Sequence, residues 1–363
     1  MTHLNELYLI LNKSLKWNKS HLKCFALIML VIILKQTCNL SSASKALPIK
    51  CLPQSFYRRM QRFFAGQYFD YRQISQLIFN MFSFDQVQLT LDRTNWKWGK
   101  RNINILMLAI VYRGIAIPIL WTLLNKRGNS DTKERIALIQ RFIAIFGKDR
   151  IVNVFADREF IGEQWFTWLI EQDINFCIRV KKNFIVTNHL GKNHKISDLF
   201  RHLKVGQIEC RKRRILVGRV KLYISALQLE NGELLLVVSP QFNANAIQDY
   251  ALLWEIETLF SCLKGRGFNL ENTRLTDPRR VKKLIAVLAI SFCWCYLTGE
   301  WQHNQKKAIK IKKHGRLSMS LFRYGLDYVQ MAIQRLIGFG KKEEFKEILA
   351  ILRKQNPDRI RVL

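Results

Sequence analysis

Acidic residues are scarce in this sequence. Its 363 residues include 27 Asp and Glu against 59 Lys and Arg, which gives a formal net charge of +32. A surplus of this size repels itself in a compact fold and favours a polyanionic partner. Nucleic acid is the first candidate, because each Lys or Arg that neutralises a phosphate releases condensed counterions. An anionic membrane surface is the second.

The cysteine and histidine patterns typical of metal sites are absent from the sequence. The eight cysteines form no CxxC pair, and the seven histidines form no HExxH motif. Most cysteines lie inside apolar runs, where a free thiol behaves as a small hydrophobic side chain. We therefore expect neither structural zinc nor disulfide bridges.

Apolar runs long enough to span a membrane are also missing. The two most apolar runs, residues 24–34 and 284–297, are shorter than the roughly 18–20 residues that a bilayer requires. The first run starts too far inside the chain for a signal peptide and has no small-residue cleavage site. We therefore expect buried helices, no membrane partner and a cytoplasmic location.

What the sequence does contain is 49% hydrophobic residues, enough for a packed core in two or three domains. Periodicity and composition predict five segments. These are a helical N-terminal domain (1–80), the first part of an α/β core (81–180), a β-rich insertion (181–242), the second part of the core (243–300) and a basic helical C-terminal region (301–363).

The core segment has a recognisable order of elements: three strands, a helix, a strand, a helix and a strand. Its second and third strands join at a hairpin turn around Gly114, a helix is predicted over residues 131–147, and a later helix starts at Pro278. A hairpin meander followed by βαβ units gives a mixed sheet with helices on its faces. The fold class is therefore α/β (α+β overall), and the order matches the ribonuclease H-like fold.

In the N-terminal segment, the stretch "SFYRRMQRFF" interleaves basic and aromatic residues. Its arginines, Arg58, Arg59 and Arg62, suit a DNA-binding module of the helix-turn-helix kind. The alternative is a helical cap on the next domain.

Three acids lie at positions where an α/β fold commonly has its active site. Asp92 ends the first predicted strand of the core ("LTLDRTNW"), Asp157 ends the fourth ("VFADREF"), and Glu257 lies on the helix after the insertion. Strands one and four are neighbours in this fold, so the two aspartates should lie side by side at the rim of the sheet. Taken singly, each is better explained as an ordinary turn or surface acid; it is their joint position in this order of elements that favours a site.

Carboxylates that lie so close together need a cation between them. Mg²⁺ takes oxygen ligands, and two such ions can activate the nucleophile and stabilise the leaving oxygen in phosphoryl transfer. Asp92, Asp157 and Glu257 in a strongly basic chain therefore indicate metal-dependent chemistry on a DNA phosphodiester.

The predicted helix around Glu257 also carries a phenol and an ammonium. Tyr250, Glu257 and Lys264 are seven residues apart, which places them along one stripe of a continuous α-helix. Glu255 and Glu271 fall outside this register, and we expect them to be solvated or paired.

These residues together resemble bacterial insertion-sequence transposases of the DDE type, specifically the insertion sequence 4 family. The signature of that family is Tyr-x2-Arg-x3-Glu-x6-Lys, and the stretch "YALLWEIETLFSCLK" matches it at Tyr250, Glu257 and Lys264. The motifs "LDRTNW" and "FADREF" match the first two acids. The resemblance covers roughly residues 17–330.

The resemblance implies an enzyme that binds the terminal inverted repeats of its own element, cleaves there and joins the 3′-OH ends to target DNA. Asp92, Asp157 and Glu257 would ligate two Mg²⁺ ions, with Mn²⁺ as a substitute. Double-stranded DNA would be the partner of a homodimer, and no small molecule would be a substrate. Contacts to DNA phosphates would come from four residues: Tyr250, Lys264, Arg158 and Arg266. For Arg158, a structural ion pair is an equally good interpretation.

The sequence departs from the family pattern at two places. Leu253 stands where the signature has arginine, which would remove a guanidinium from a phosphate unless Arg179 or Arg266 replaces it. The strand "ELLLVVS" also lacks the tryptophan that stacks a flipped base in some relatives. Two alternatives therefore stay open: a ribonuclease H-like nuclease without strand transfer, and a catalytically impaired DNA-binding protein.

Overall fold

A computed structural model describes residues 2–47, 51–188, 191–313 and 315–353 of the chain. Helices and strands alternate in the middle of this part, and helices alone occupy its two ends. The α-helices described are α1 Thr2–Ser14, α2 Lys19–Lys35, α3 Leu40–Ala43, α4 Pro53–Gly66, α5 Tyr71–Phe82, α6 Thr132–Phe146, α7 Glu163–Glu171, α8 Ala246–Tyr250, α9 Trp254–Leu263, α10 Pro278–Gln305, α11 Leu321–Phe339 and α12 Glu343–Arg353. The strands are β1 Val87–Trp98, β2 Arg101–Tyr112, β3 Ile115–Leu123, β4 Ile151–Ala156, β5 Phe176–Arg179, β6 Ile185–Thr187, β7 Asn193–Lys195, β8 Ile208–Cys210, β9 Ile215–Val217, β10 Val220–Gln228 and β11 Leu234–Ser239.

The strands of the described residues form one large mixed sheet in the order β3-β2-β1-β4-β5-β11-β10-β9-β6-β7, with β8 also paired to β10. β4 runs parallel to both β1 and β5, whereas β2 and β3 are antiparallel. This arrangement confirms the predicted mixed α/β fold. The first five strands have the order 3-2-1-4-5, which is the order expected of a ribonuclease H-like sheet.

The β-rich segment after β5 continues the sheet. Its last strand, β11, pairs antiparallel with β5, and β10 pairs with β11 along six residues. A free edge on β5 would expose unpaired backbone groups, and β11 covers it.

Local sequence signals explain where several elements begin and end. Arg113 and Gly114 both adopt positive φ angles, +49° and +85°, which close the predicted hairpin between β2 and β3. At the start of α6, Asp131 and Glu134 form a capping box with each other's backbone amides. Pro278 takes the first position of α10 after the N-cap Asp277, as the sequence predicts.

The chain forms two compact units. One comprises Met1–Phe84, Trp96–Ile103 and Phe260–Leu363; the other comprises Asp85–Asn95 and Asn104–Leu259. The five predicted segment boundaries stay predictions.

In the first unit, α10 packs against α2, α4, α5, α11 and α12. Two glycines, Gly299 on α10 and Gly325 on α11, allow the backbones of these two helices to touch. A Cβ on Gly325 would overlap the carbonyl oxygen of Cys295, and even the carbon of that carbonyl would be 2.9 Å away. The helices therefore approach as closely as their backbones permit.

Helix α10 is longer than the apolar run from which we predicted it. It is long and apolar enough to cross a membrane, but 89% of its most apolar 18-residue window is buried inside the protein. The bent pair formed by α1 and α2 also meets the length and composition criteria when taken together. Such burial is typical of a core helix, and we interpret α10 as one.

Candidate active site

Asp92 and Asp157 lie next to each other in the sheet. The parallel pairing of β1 with β4 ends at the partners Leu91 and Ala156. The next residue along β1 is Asp92, and the residue that directly follows β4 is Asp157. Adjacent strands are separated by about 4.8 Å. The prediction that β1 ends at Asp92 is wrong, because this strand continues to Trp98. What ends there is the pairing with β4.

Asp92 is half-buried, and its surroundings disfavour its charge. The pKa of this carboxyl is raised to about 7, mainly by burial; a hydrogen bond from the Arg93 amide lowers the pKa, and the negative charges of Glu159, Asp157 and Glu257 raise it. No basic side chain of the described residues forms an ion pair with Asp92. Asp92 is therefore held beside other carboxylates without a basic partner of its own.

Asp157, in contrast, has two partners. The hydroxyl of Tyr250 donates a hydrogen bond to Asp157 Oδ1 over 3.2 Å, and the guanidinium of Arg179 lies 4.0 Å from the same oxygen. Burial and the Asp157 charge raise the pKa of Tyr250 well above its ordinary value, so the phenol stays protonated and keeps donating. Tyr250 thus holds a carboxylate in place, a contact that the resemblance did not suggest.

A second acid, Glu233, lies between two arginines at this rim. Glu233 accepts from Arg179, at the end of β5, and from Arg158 over 3.2 Å. Arg158, a predicted phosphate contact, is therefore engaged in an ion pair at an exposed position. Glu233 was not predicted, because nothing distinguishes it in the sequence beyond its place after the predicted turn between β10 and β11.

Arg93 connects the two aspartate-bearing segments. Its guanidinium bonds both carboxylate oxygens of Glu159 at 3.1 Å and also reaches the side chains of Asn104 and Asn129. A bidentate pair of this kind fixes geometry as well as charge. This pair was not predicted, although Arg93 lies inside the motif "LDRTNW" and Glu159 inside "FADREF".

Arg135 on α6 holds the loop that follows Asp157 in place. This buried guanidinium donates to the backbone carbonyls of Ser130, Glu159 and Ile161. Because the loop carbonyls have a fixed donor, the chain leaves β4 in a defined direction.

The segment that carries Glu257 is not one continuous helix, and the predicted stripe of Tyr250, Glu257 and Lys264 is wrong for that reason. Helix α8 ends at Tyr250, a 3₁₀ turn covers Ala251–Leu253, and α9 begins at Trp254. A 3₁₀ residue advances about 120° rather than 100°, so three of them rotate the later residues by roughly 60°. Glu257 is exposed, and within the described residues it has no hydrogen bond or ion pair.

Glu255 is neither solvated nor ion-paired, contrary to our expectation. It is buried, and its two carboxylate oxygens accept hydrogen bonds of 2.8 Å from the backbone amides of Tyr112 and Gly114. Burial raises the pKa of Glu255, and the two amides lower it in part. Because Glu255 is two residues before Glu257, this contact ties the start of α9 to the β2–β3 turn.

The other predicted contacts fall in different environments. Leu253 is buried, with 6% of its surface exposed. Lys264 lies in the other unit, where its ammonium pairs with Glu271 at 2.8 Å, so Glu271 is paired as expected. Arg266 also belongs to that unit.

The three arginines of α4 do not share one environment. Arg58 and Arg62 are exposed and four residues apart, so they lie on the same face of the helix. Arg59 is half-buried and donates to the carbonyl of Ser20 over 3.2 Å. Their role in DNA binding stays a prediction, and the exposed pair carries it best.

The donor set at the sheet rim fits a hard divalent cation. Asp92, Asp157 and Glu257 offer only carboxylate oxygens, which Mg²⁺ prefers. The charges of Asp157 and Glu257 also act unfavourably on an ionised Asp92, and a cation would offset that repulsion. In the described parts of the chain, however, no three His, Cys, Asp or Glu side chains are close enough together to hold one ion. The fit therefore rests on donor chemistry and charge.

Comparison with known proteins adds an independent finding. Residues 83–294, more than half of the chain, match the protein family described as "Transposase DDE domain". A solved structure of piggyBac transposase in a synaptic complex with hairpin DNA aligns with a TM-score of 0.45 and 13% sequence identity, over 98% of this chain and 84% of that chain. No curated protein sequence matches. The matched range contains Asp92, Asp157 and Glu257.

Proposed function

The chain belongs to the DDE transposase family, and from this premise we propose that it cuts the ends of its own mobile element and joins them to target DNA. The observation that carries the proposal is the strand register that puts Asp92 beside Asp157 within the family-matched range. Glu257, whose charge acts on Asp92, supplies the third acid. In this proposal the three carboxylates form the catalytic and metal-binding set.

The residues around the rim have distinct tasks in this proposal. Tyr250 donates to Asp157 Oδ1 and orients that carboxylate, so its contribution to DNA phosphate binding is secondary. The pair of Arg93 and Glu159 keeps the two aspartate-bearing segments aligned. When bound, divalent cations supply Lewis acidity for the attacking and leaving oxygens of phosphoryl transfer. We take Mg²⁺ as the physiological ion and Mn²⁺ as its substitute.

The finer assignments extend the resemblance to this chain. We assign the protein to the insertion sequence 4 family, acting in the bacterial nucleoid as a homodimer on double-stranded DNA. Its DNA substrates are then the terminal inverted repeats of the element and a target site. Phosphate contacts by Lys264, Arg266 and Arg158, and DNA binding by Arg58 and Arg62, belong to the same proposal.

The central test compares two aspartates that flank the same strand. Asp157 follows the last residue of β4, whereas the exposed Asp149 lies two residues before its first. Purified protein is incubated with linear DNA that carries the gene and its flanks, with Mg²⁺ or with EDTA. We expect Mg²⁺-dependent cleavage at the element ends that Asp157→Asn abolishes and Asp149→Asn retains. Equal cleavage by the two variants would contradict the assignment of Asp157.

A second arm of the same experiment separates transposition from the alternatives. A supercoiled plasmid is added as target, and joined products are detected by amplification across the new junctions. Cleavage without joining would favour a nuclease that lacks strand transfer. Binding of the DNA without cleavage in Mg²⁺ or Mn²⁺ would favour the catalytically impaired protein.

A further inference from the structure

The β-rich segment between β5 and α8 is strongly basic. Residues 181–242 contain 12 Lys and Arg against 4 Asp and Glu. Some of these cations are neutralised within the protein: Arg201 pairs with Asp198 at 2.7 Å, and Arg219 lies 3.6 Å from Glu163. The cations without an internal partner are the ones available to an external anion.

Three such cations are consecutive. Lys212, Arg213 and Arg214 are all exposed, and no acidic side chain of the described residues forms an ion pair with any of them. Adjacent like charges repel one another. An anion bound across all three would relieve that repulsion.

The loop that holds these cations has a fixed base. Strands β8 and β9 pair with residues 225–227 and 220–222 of β10, on the edge that β11 does not occupy. The connecting loop therefore leaves the sheet beside Tyr223 and Ile224. Its first residue, Arg211, donates its amide to the Ile224 carbonyl over 3.0 Å. The cations thus project from a strand-anchored bulge.

An aromatic pair orients one of the cations. The guanidinium of Arg214 lies over the ring of Tyr223, 5.2 Å from its centroid, and that ring meets Phe242 edge-on at 5.8 Å. Stacking of this kind restrains the planar guanidinium and leaves its N–H edge available for bidentate bonds to an oxyanion. Phe242 is itself 44% exposed, so the group lies at the surface.

From these contacts we infer that Lys212, Arg213 and Arg214 form a binding surface for the phosphate backbone of duplex DNA, here called the basic loop. The inference rests on the proposed function, to which it adds a DNA contact far along the chain from the acids and from the N-terminal helices. Phosphate contacts position a protein on the duplex without reading its sequence. The basic loop therefore contributes affinity that is independent of the terminal repeats.

A pair of double variants tests the inference. Lys212→Ala with Arg213→Ala removes two exposed charges that have no acidic partner. Arg201→Ala with Arg219→Ala removes two exposed charges that already have acidic partners. Both pairs are built on Asp157→Asn so that DNA stays intact. Affinity for a labelled duplex of random sequence is measured by fluorescence anisotropy without divalent metal, over a range of NaCl concentrations.

Each phosphate contact contributes about 0.9 to the slope of log affinity against log salt concentration. We therefore expect the basic-loop variant to lose roughly 2 from the slope of its parent, and the control to lose less than 1. Equal slopes for variant and control would overturn the inference and leave the proposed function intact. A parent protein that fails to bind duplex DNA even at low salt would instead contradict the proposed function. Circular dichroism checks that both variants keep the parent's fold.

Discussion

The contact between α10 and α11 predicts opposite effects for one substitution at two positions of the same helix. Gly325 and Gly338 both lie on α11. A methyl group on Gly325 would overlap the Cys295 carbonyl and approach the backbone of Gly299, whereas a methyl group on Gly338 meets nothing within 4 Å. Gly325→Ala should therefore destabilise the protein, and Gly338→Ala should not.

The magnitude follows from the distances. The methyl carbon would be 2.9 Å from the carbonyl carbon of Cys295 and closer still to its oxygen, against an ordinary contact of about 3.4 Å or more. Neither side can rotate away, because the obstacle is backbone. The helices must separate by at least ~0.5 Å, a gap that forfeits a quarter or more of each contact energy along the interface. Overpacking costs 1–3 kcal/mol in most cores, and we expect about 3 kcal/mol here.

Calorimetry of the two variants at one protein concentration measures the effect. A loss of about 3 kcal/mol corresponds to a fall in Tm of roughly 6–12 °C for a unit of about 200 residues. Gly338→Ala removes a flexible glycine from an exposed helix position and should raise stability by up to about 1 kcal/mol. A Tm for Gly325→Ala within 1 °C of the parent would refute the close backbone contact, and so would equal shifts for both variants.

Three further predictions concern the site. In metal-free protein the pKa of Asp92 is raised to about 7 from an ordinary 3.8, so the folded state binds this proton more tightly than the unfolded state does. The free energy of unfolding should therefore fall as pH rises from about 4 to 7. Asp92→Asn should reduce this slope in urea titrations with EDTA, and an unchanged slope would show that another group causes it. Glu255→Ala leaves two backbone amides without their carboxylate and should cost about 2–4 kcal/mol in the same titrations, whereas Glu255→Gln keeps one acceptor and should cost less. Equal losses would contradict this reasoning, because glutamine keeps both the volume of the side chain and one acceptor oxygen. Leu253→Arg places a charge at a position that is 6% exposed, so we expect a lower Tm and no gain in cleavage. Faster cleavage by this variant would show that the missing guanidinium limits the enzyme.

The parts of the fold that were predictable depend on short-range signals. The β2–β3 turn needs positive φ at Arg113 and Gly114, and the cap at Asp131 needs only Glu134 three residues later. The adjacency of Asp92 and Asp157 is long-range, yet it followed from strand order, because a hairpin meander followed by βαβ units has few arrangements. Topology thus brought together two acids that are 65 residues apart.

The parts that were not predictable depend on side-chain pairs across the sheet. Arg93 reaches Glu159 and Arg179 reaches Glu233, and nothing in the spacing of charges along the chain distinguishes these pairs from others. The break between α8 and α9 was missed for a related reason. The stretch from Tyr250 to Lys264 has acceptable helix formers throughout, so the sequence does not predict the 3₁₀ turn at Ala251–Leu253. We attribute the turn to packing, because it lies against β4.

Leu253 shows why a departure from a family motif has to be judged in space. In sequence, leucine at this position removes the signature guanidinium and suggests an impaired enzyme. In the structure, Leu253 is buried, so an arginine at this position would have to be desolvated. A different guanidinium is present: that of Arg179 lies 4.0 Å from Asp157 and also interacts with the Tyr250 hydroxyl. A charge 74 residues earlier in the chain thus reaches the rim where the acids meet. The leucine therefore no longer argues by itself for an inactive remnant, because the site does not lack a guanidinium.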